Sequence, residues 1–175
     1  MTTTETSSAI NEVNIGAVAG LVAKIQEQPA VASTTWKASV AWQGGFRSSA
    51  SVREFAPVPS DEPDGLGGSD TAANPVEQLL GALGNCLAVG YAANATAAGI
   101  QIHSLSVDLE GDLDLHTFLG LNPEGNAGYQ AIRVAVRLDS DASPGQLATL
   151  HQRVVGTSPV GHTLSRAVPV QINLV

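Results

Sequence analysis

Cys86 is the only cysteine in a chain of 175 residues, and it stands inside a stretch, residues 75–98, that carries no charge after Glu77. A cysteine attacks an electrophile as the thiolate, so a nucleophilic Cys86 requires a nearby cation and access for a substrate. The middle of a helix gives no help from the helix dipole, so the cation has to come from another element. Arg47, just after Gly44-Gly45, is the first candidate, and Arg53 the next. Glu77 precedes Cys86 by nine residues, about 2.5 helical turns, so the two do not share a stripe. Its carboxylate can still tether an arginine. Each residue also has a reading without chemistry: free cysteine is commonly a small core residue, Glu77 suits a helix cap, and exposed arginines are usually just solvated.

Other reactive groupings are weaker. His103, His116, His151 and His162 have no ligand spacing, and CxxC, HxxxH and HExxH are all absent, so neither a metal nor a cofactor is expected. There is no GxSxG, and the glycines of 65–68 lack the lysine of a phosphate-binding loop. Asp61, Glu62, Asp64 and Asp70 offer oxygen ligands, but they lie among prolines and glycines and read as a solvated loop. Cys86 paired with His162 or His151 would suit acyl transfer, although nothing in the spacing favours it.

Eight basic residues face sixteen acidic ones, a net charge of -8, which disfavours nucleic acid and anionic membranes as partners. No apolar run is long enough to cross a bilayer. Met1 to Asn11 lacks the basic start of a secretory signal. A lone cysteine cannot close an intramolecular disulfide, and together these features point to the cytoplasm.

The elements that position these residues follow from periodicity. Residues 1–8 are polar and expected to be disordered. Ile10, Val13, Ala17, Leu21 and Ile25 predict an amphipathic helix over 9–27, stopped at Gln28-Pro29. Trp36, Ala38, Val40 and Trp42 alternate as a strand, Gly44-Gly45 turns, and 46–55 reads as a second strand, with a loop over 56–73. Asn74-Pro75-Val76-Glu77 opens a helix to Ala98, ended by Gly99. That helix is apolar nearly all round, which predicts burial on all sides, with its glycines in close contact with another backbone. Strands follow at 105–113 and 132–138, a short helix after Ser143-Pro144 that Ser158-Pro159 breaks, and a last strand at 168–174. The order is that of one α+β domain.

Residues 67–86, GGSDTAANPVEQLLGALGNC, resemble the signature of the OsmC/Ohr family of osmotically inducible and organic-hydroperoxide-resistance proteins. Trp42-Gln43-Gly44-Gly45 is similar to the family's first hairpin, Thr157-Ser158-Pro159-Val160 to its later Cys-Pro-Val segment, and Val168–Leu174 to its closing strand. The resemblance covers about residues 36–175, so 1–28 reads as an N-terminal extension and 29–175 as an OsmC-like domain. It implies an antiparallel sheet wrapped around a long buried central helix in an intertwined homodimer. It also implies a thiol peroxidase for small organic hydroperoxides, with Cys86 the nucleophile, Arg47 lowering its pKa and Glu77 positioning Arg47. Ser158 stands at the resolving-cysteine position, so an external thiol or dithiol is needed as reductant. Relative to the family pattern, Glu77 and Arg47 are each displaced by one residue. The alternative is a non-catalytic binding or stress protein with a structural Cys86.

Overall fold

The computed structural model describes residues 10–174, so the expectation for residues 1–8 falls outside it. The chain divides into two compact units: Gly16–Gly81, and Ala82–Val175 together with the chain up to Ile15.

In the first unit, α1 (Ile15–Glu27) leaves Val18, Leu21 and Val22 exposed. A three-stranded antiparallel sheet follows, β1 (Ser39–Trp42), β2 (Ser48–Ser51) and β3 (Val58–Ser60), in that order. The β1–β2 hairpin turns where expected: Gly44 and Gly45 both have positive φ, and Arg47 N–H donates to the Gly44 carbonyl at 3.1 Å. The second strand is shorter than the pattern 46–55 predicts. Its end is marked by Arg53, in the left-handed region at φ 50° with its guanidinium over the Phe55 ring. The expected 56–73 loop contains β3, whose Pro59 faces Ser49 on an edge strand, where a missing N–H is tolerated.

Beyond β3 the acid-rich segment is held by its own carboxylate. Asp61 is buried and accepts from the backbone N–H groups of Glu62, Ser69 and Thr71 and from the Thr71 hydroxyl at 2.7 Å. The Thr71 hydroxyl, chiefly, holds the carboxyl below its ordinary value of 3.8. A carboxyl depressed in the folded state stabilises the fold above the unfolded pKa, and that contribution fades as pH falls through the lowered value. Gly68 sits against the Glu62 carbonyl, where a Cβ would lie 1.8 Å from the oxygen.

Helix α2 (Pro75–Ala97) begins as the sequence predicts. Asn74 N–H donates to Glu77 Oε2 and Glu77 N–H to Asn74 Oδ1, both at 2.9 Å, a reciprocal cap. The helix runs on into the second unit and ends before Gly99, at φ 69°.

In that unit β4 (Ile102–Leu113) and β5 (Tyr129–Ser140) form a long antiparallel pair with Val107 opposite Val136. A short helix, α3 (Leu115–Phe118), interrupts their connection, and α4 (Pro144–Thr157) and α5 (Pro159–Ser165) follow. The sequence reading missed α5, because Ser158-Pro159 both stops one helix and starts the next. The core consists of Leu83, Leu87, Tyr91 and Ala95 of α2 with Ile100, Leu150 and Val154, packed on alternate residues of β4 and β5. The predicted helix over 9–27 is broken near its start. Asn11 and Glu12 have positive φ, and the Asn11 side chain donates to the Ile100 carbonyl and accepts from the Ile102 N–H. Asparagine tolerates this backbone region, and its hydrogen bonds hold it there.

One expectation needs correction, that of the last strand, and the all-round burial of α2 is not met within a single chain. Within one chain α2 is buried along one stripe, and Val89 is 69% exposed. Residues 168–174 form no strand, and Ile172 is 91% exposed. A strand needs an edge to pair with, and among the described residues this segment pairs with none.

Two of the three glycines of α2 face side chains of their own chain. A Cβ on Gly84 would lie 2.8 Å from Leu109 Cδ1, and one on Gly90 3.0 Å from Val154 Cγ1, whereas one on Gly81 would meet nothing within 4 Å. Gly84→Leu is therefore expected to overpack the α2–β4 contact and destabilise the fold by about 1–3 kcal/mol. Thermal unfolding measures this, and an unchanged melting temperature would contradict the packing.

Candidate functional site

Cys86 follows Leu83 by three residues and precedes Leu87 by one, so it lies at the margin of the buried stripe and is half-buried. Its Sγ is 3.3 Å from the Ser158 Oγ. Ser158 is only 5% exposed, and it is placed by the α4–α5 junction. As N-cap of α5 its Oγ accepts from the Gly161 N–H at 3.1 Å. A hydroxyl has one proton and two lone pairs, so the O–H remains free for Cys86. Either atom can donate in this contact, and toward a thiolate, which only accepts, the hydroxyl is the donor.

Ser158 also lines a cavity of about 680 Å³. Its walls are apolar: Leu83 and Leu87 of α2, Ile132, Val134 and Val136 of β5, and Val155 of α4. The polar lining consists of Tyr91, His151, His162, Ser165 and Arg166 beside Ser158. Tyr91 is 2% exposed and its hydroxyl meets His151 Nδ1. Burial pushes the phenol pKa up, so Tyr91 keeps its proton.

Glu77 and Arg47 belong to the other unit. Glu77 Oε2 accepts from Asn74, as described. Arg47 shapes the β1–β2 turn, with Gln43 N–H donating to its carbonyl at 2.9 Å, and among the described residues its side chain makes no ion pair. The other histidines pair with acids: His103 with Asp141, which raises its pKa, and His116 with Asp114. No hydrogen bond among the described residues joins Cys86 to His151 or His162, so the geometry of a Cys–His acyl transferase is not formed. Nor is any group of three His, Cys, Asp or Glu among them placed to hold a metal ion. No helix among them is long and apolar enough to cross a membrane.

The sequence pattern of the family described as OsmC-like protein matches residues 67–173, well over half of the chain. This chain belongs to the OsmC-like family. Its fold is similar to that of an OsmC-like protein from Mycoplasma pneumoniae, with a TM-score of 0.65 at 19% identity over 76% of this chain and 89% of that one. An organic hydroperoxide resistance protein OsmC from Legionella pneumophila matches at 0.58 and 15% identity, over 75% and 91%. One from Elizabethkingia anophelis matches at 0.54 and 16%, over 74% and 89%. Identities this low speak for the fold alone. No curated protein matches the chain.

Sequence reasoning paired Cys86 with Ser158 through the family motif, and the structure brings them together. It missed Tyr91, His151 and Arg166 as neighbours of Ser158 in one cavity, since Tyr91 lies 60 residues before His151 and the three share no spacing. The contact predicts that Ser158→Cys places two sulfurs within bridging reach, with Cα atoms within ~7 Å. Treating that variant with diamide should yield an 86–158 disulfide and a mass loss of two hydrogens. A variant that keeps both thiols free would contradict the contact.

Proposed function

We propose that this OsmC-like protein is a one-cysteine thiol peroxidase that reduces small organic hydroperoxides at the expense of an external thiol or dithiol. The observation that carries this reading is the contact of Cys86 with Ser158, a residue that itself lines an apolar cavity large enough for an organic substrate. Relatives of the same fold that are named organic hydroperoxide resistance proteins support it.

In the proposed cycle the Cys86 thiolate attacks one peroxide oxygen and the O–O bond breaks. The alkoxide leaves and takes up a proton to become the alcohol, and Cys86 is left as sulfenic acid. A serine cannot resolve it. An external thiol condenses with the sulfenic acid, releasing water and forming a mixed disulfide, and a second thiol then frees Cys86 and leaves as the reductant disulfide. Arg47 is the cation assigned to the thiolate, and Glu77 the carboxylate that orients Arg47, both carried over from the family pattern. A lone thiol that must be kept reduced suits the cytoplasm.

We further propose that the working unit is a homodimer. The open face of α2 at Val89 and the unpaired apolar residues Val170, Ile172 and Leu174 support it, because a single chain leaves them in water. The binding-protein alternative keeps its support in Glu77, whose carboxylate serves the α2 cap.

Hydroperoxide consumption followed by a ferrous-iron peroxide assay should require both protein and added dithiol, and Cys86→Ser should abolish it. Consumption that persists in Cys86→Ser, or a parent thiol that ignores the peroxide, would overturn the peroxidase reading and favour the binding protein. Sedimentation at low micromolar concentration should show dimer only, and a stable folded monomer there would contradict the assembly.

A further inference from the structure

The chain carries twice as many acidic as basic residues, yet none of the residues lining the cavity beside Ser158 is acidic. Its rim instead holds Arg166, the residue that ends α5, and His162 of the same helix. Elsewhere in this unit most cations are matched by carboxylates, Arg153 on the α4 surface being the exception among the described residues. Arg133 lies between Asp112 and Glu110, Arg137 meets Asp108, and His103 and His116 each meet an aspartate. Among the described residues neither the Arg166 nor the His162 side chain has a hydrogen bond or an ion pair.

A free guanidinium at the mouth of an apolar cavity is an anion site with a wall for a hydrocarbon. Its fork of N–H donors matches a carboxylate in two parallel hydrogen bonds. One guanidinium beside uncharged donors balances a single negative charge, and a phosphate would call for more. The volume, about 680 Å³, is in the range of sites that enclose a drug-sized molecule.

We propose that this cavity selects ligands in which an apolar chain ends in a carboxylate, with Arg166 and His162 holding the anionic end and the α2–β5 wall taking the chain. Arg166 thereby becomes a specificity-determining residue, separate from Arg47, to which the family resemblance gives the thiolate. The inference rests on the peroxidase reading only for the use of the site, and binding itself needs no redox step.

The test is calorimetric titration of the full-length protein with decanoate, decan-1-ol and decyl phosphate, run on the parent, Arg166→Gln, Arg166→Lys and Cys86→Ser. Decanoate should bind the parent at least about tenfold more tightly than the alcohol, the ratio a charge-assisted hydrogen bond supplies. Arg166→Gln should erase that ratio while leaving alcohol binding within about threefold, and Arg166→Lys should restore part of it. Cys86→Ser should bind decanoate like the parent. Thus a protein that discriminates acid from alcohol but consumes no hydroperoxide ends the peroxidase reading and leaves this inference standing. The inference is overturned if acid and alcohol bind alike, if Arg166→Gln keeps the preference, or if decyl phosphate binds more tightly than decanoate. It is equally overturned if the parent binds none of the three, as when a second copy of the chain fills the cavity.

Discussion

The rotation of α2 about its own axis is the constraint on which the site depends. Leu83, Leu87, Tyr91 and Ala95 recur every four residues, and burying them against β4, β5 and α4 leaves the helix one way to lie. Neighbouring residues differ by about 100° around a helix, so Cys86 stands off the line of Leu87, at the margin of the buried stripe. There the sulfur is shielded enough to keep one well-defined hydrogen bond and open enough to be reached. A shift of one residue along α2 would bury the thiol in the core or turn it to the open face. The same stripe places Tyr91 under His151 and Leu83 and Leu87 in the cavity wall, so core packing and site geometry have one origin.

Much of this was legible from local chemistry. Asn74, Pro75 and Glu77 announce the start of α2, and Gly99 its end, because capping is a matter of neighbouring residues. Gly44-Gly45 announces the hairpin for the same reason. What depends on distant partners was less legible. The alternation of Val168, Val170, Ile172 and Leu174 is a strand pattern, but a strand also needs an edge, and no pattern within the segment says whether one is offered. Asn11 reads as an ordinary polar position in a helix, and only its bonds to Ile100 and Ile102 explain the break there. The rim of the cavity was invisible because His151, His162 and Arg166 come from two helices whose approach is set by the core.

Ser158 shows how one atom of difference redirects a site. As the cap of α5 its oxygen receives the Gly161 N–H, and as the neighbour of Cys86 it presents a hydrogen-bond donor. A sulfur in its place would cap more weakly and offer a poor donor, but it would close a disulfide. Serine thus exchanges internal resolution for a firmer helix junction and a more polar contact to the sulfur. In the proposed cycle an oxidised Cys86 has no second cysteine in its own chain, so the resolving thiol has to come from solution.

Glu77 extends that reasoning to the other proposed partner of the thiol. Its role in the α2 cap and its assigned role toward Arg47 are compatible, because the cap occupies Oε2 alone. A carboxylate accepts through both oxygens, and a guanidinium can be held by the second while the first stays on the backbone. The cap then fixes the carboxylate at the start of the same helix that carries Cys86, so a group oriented by Glu77 is referred to the helix and not to a flexible side chain. Displacement by one residue from the family pattern moves the acid onto the capping position. That gives it a rigid mount, whatever it does to the approach of the arginine.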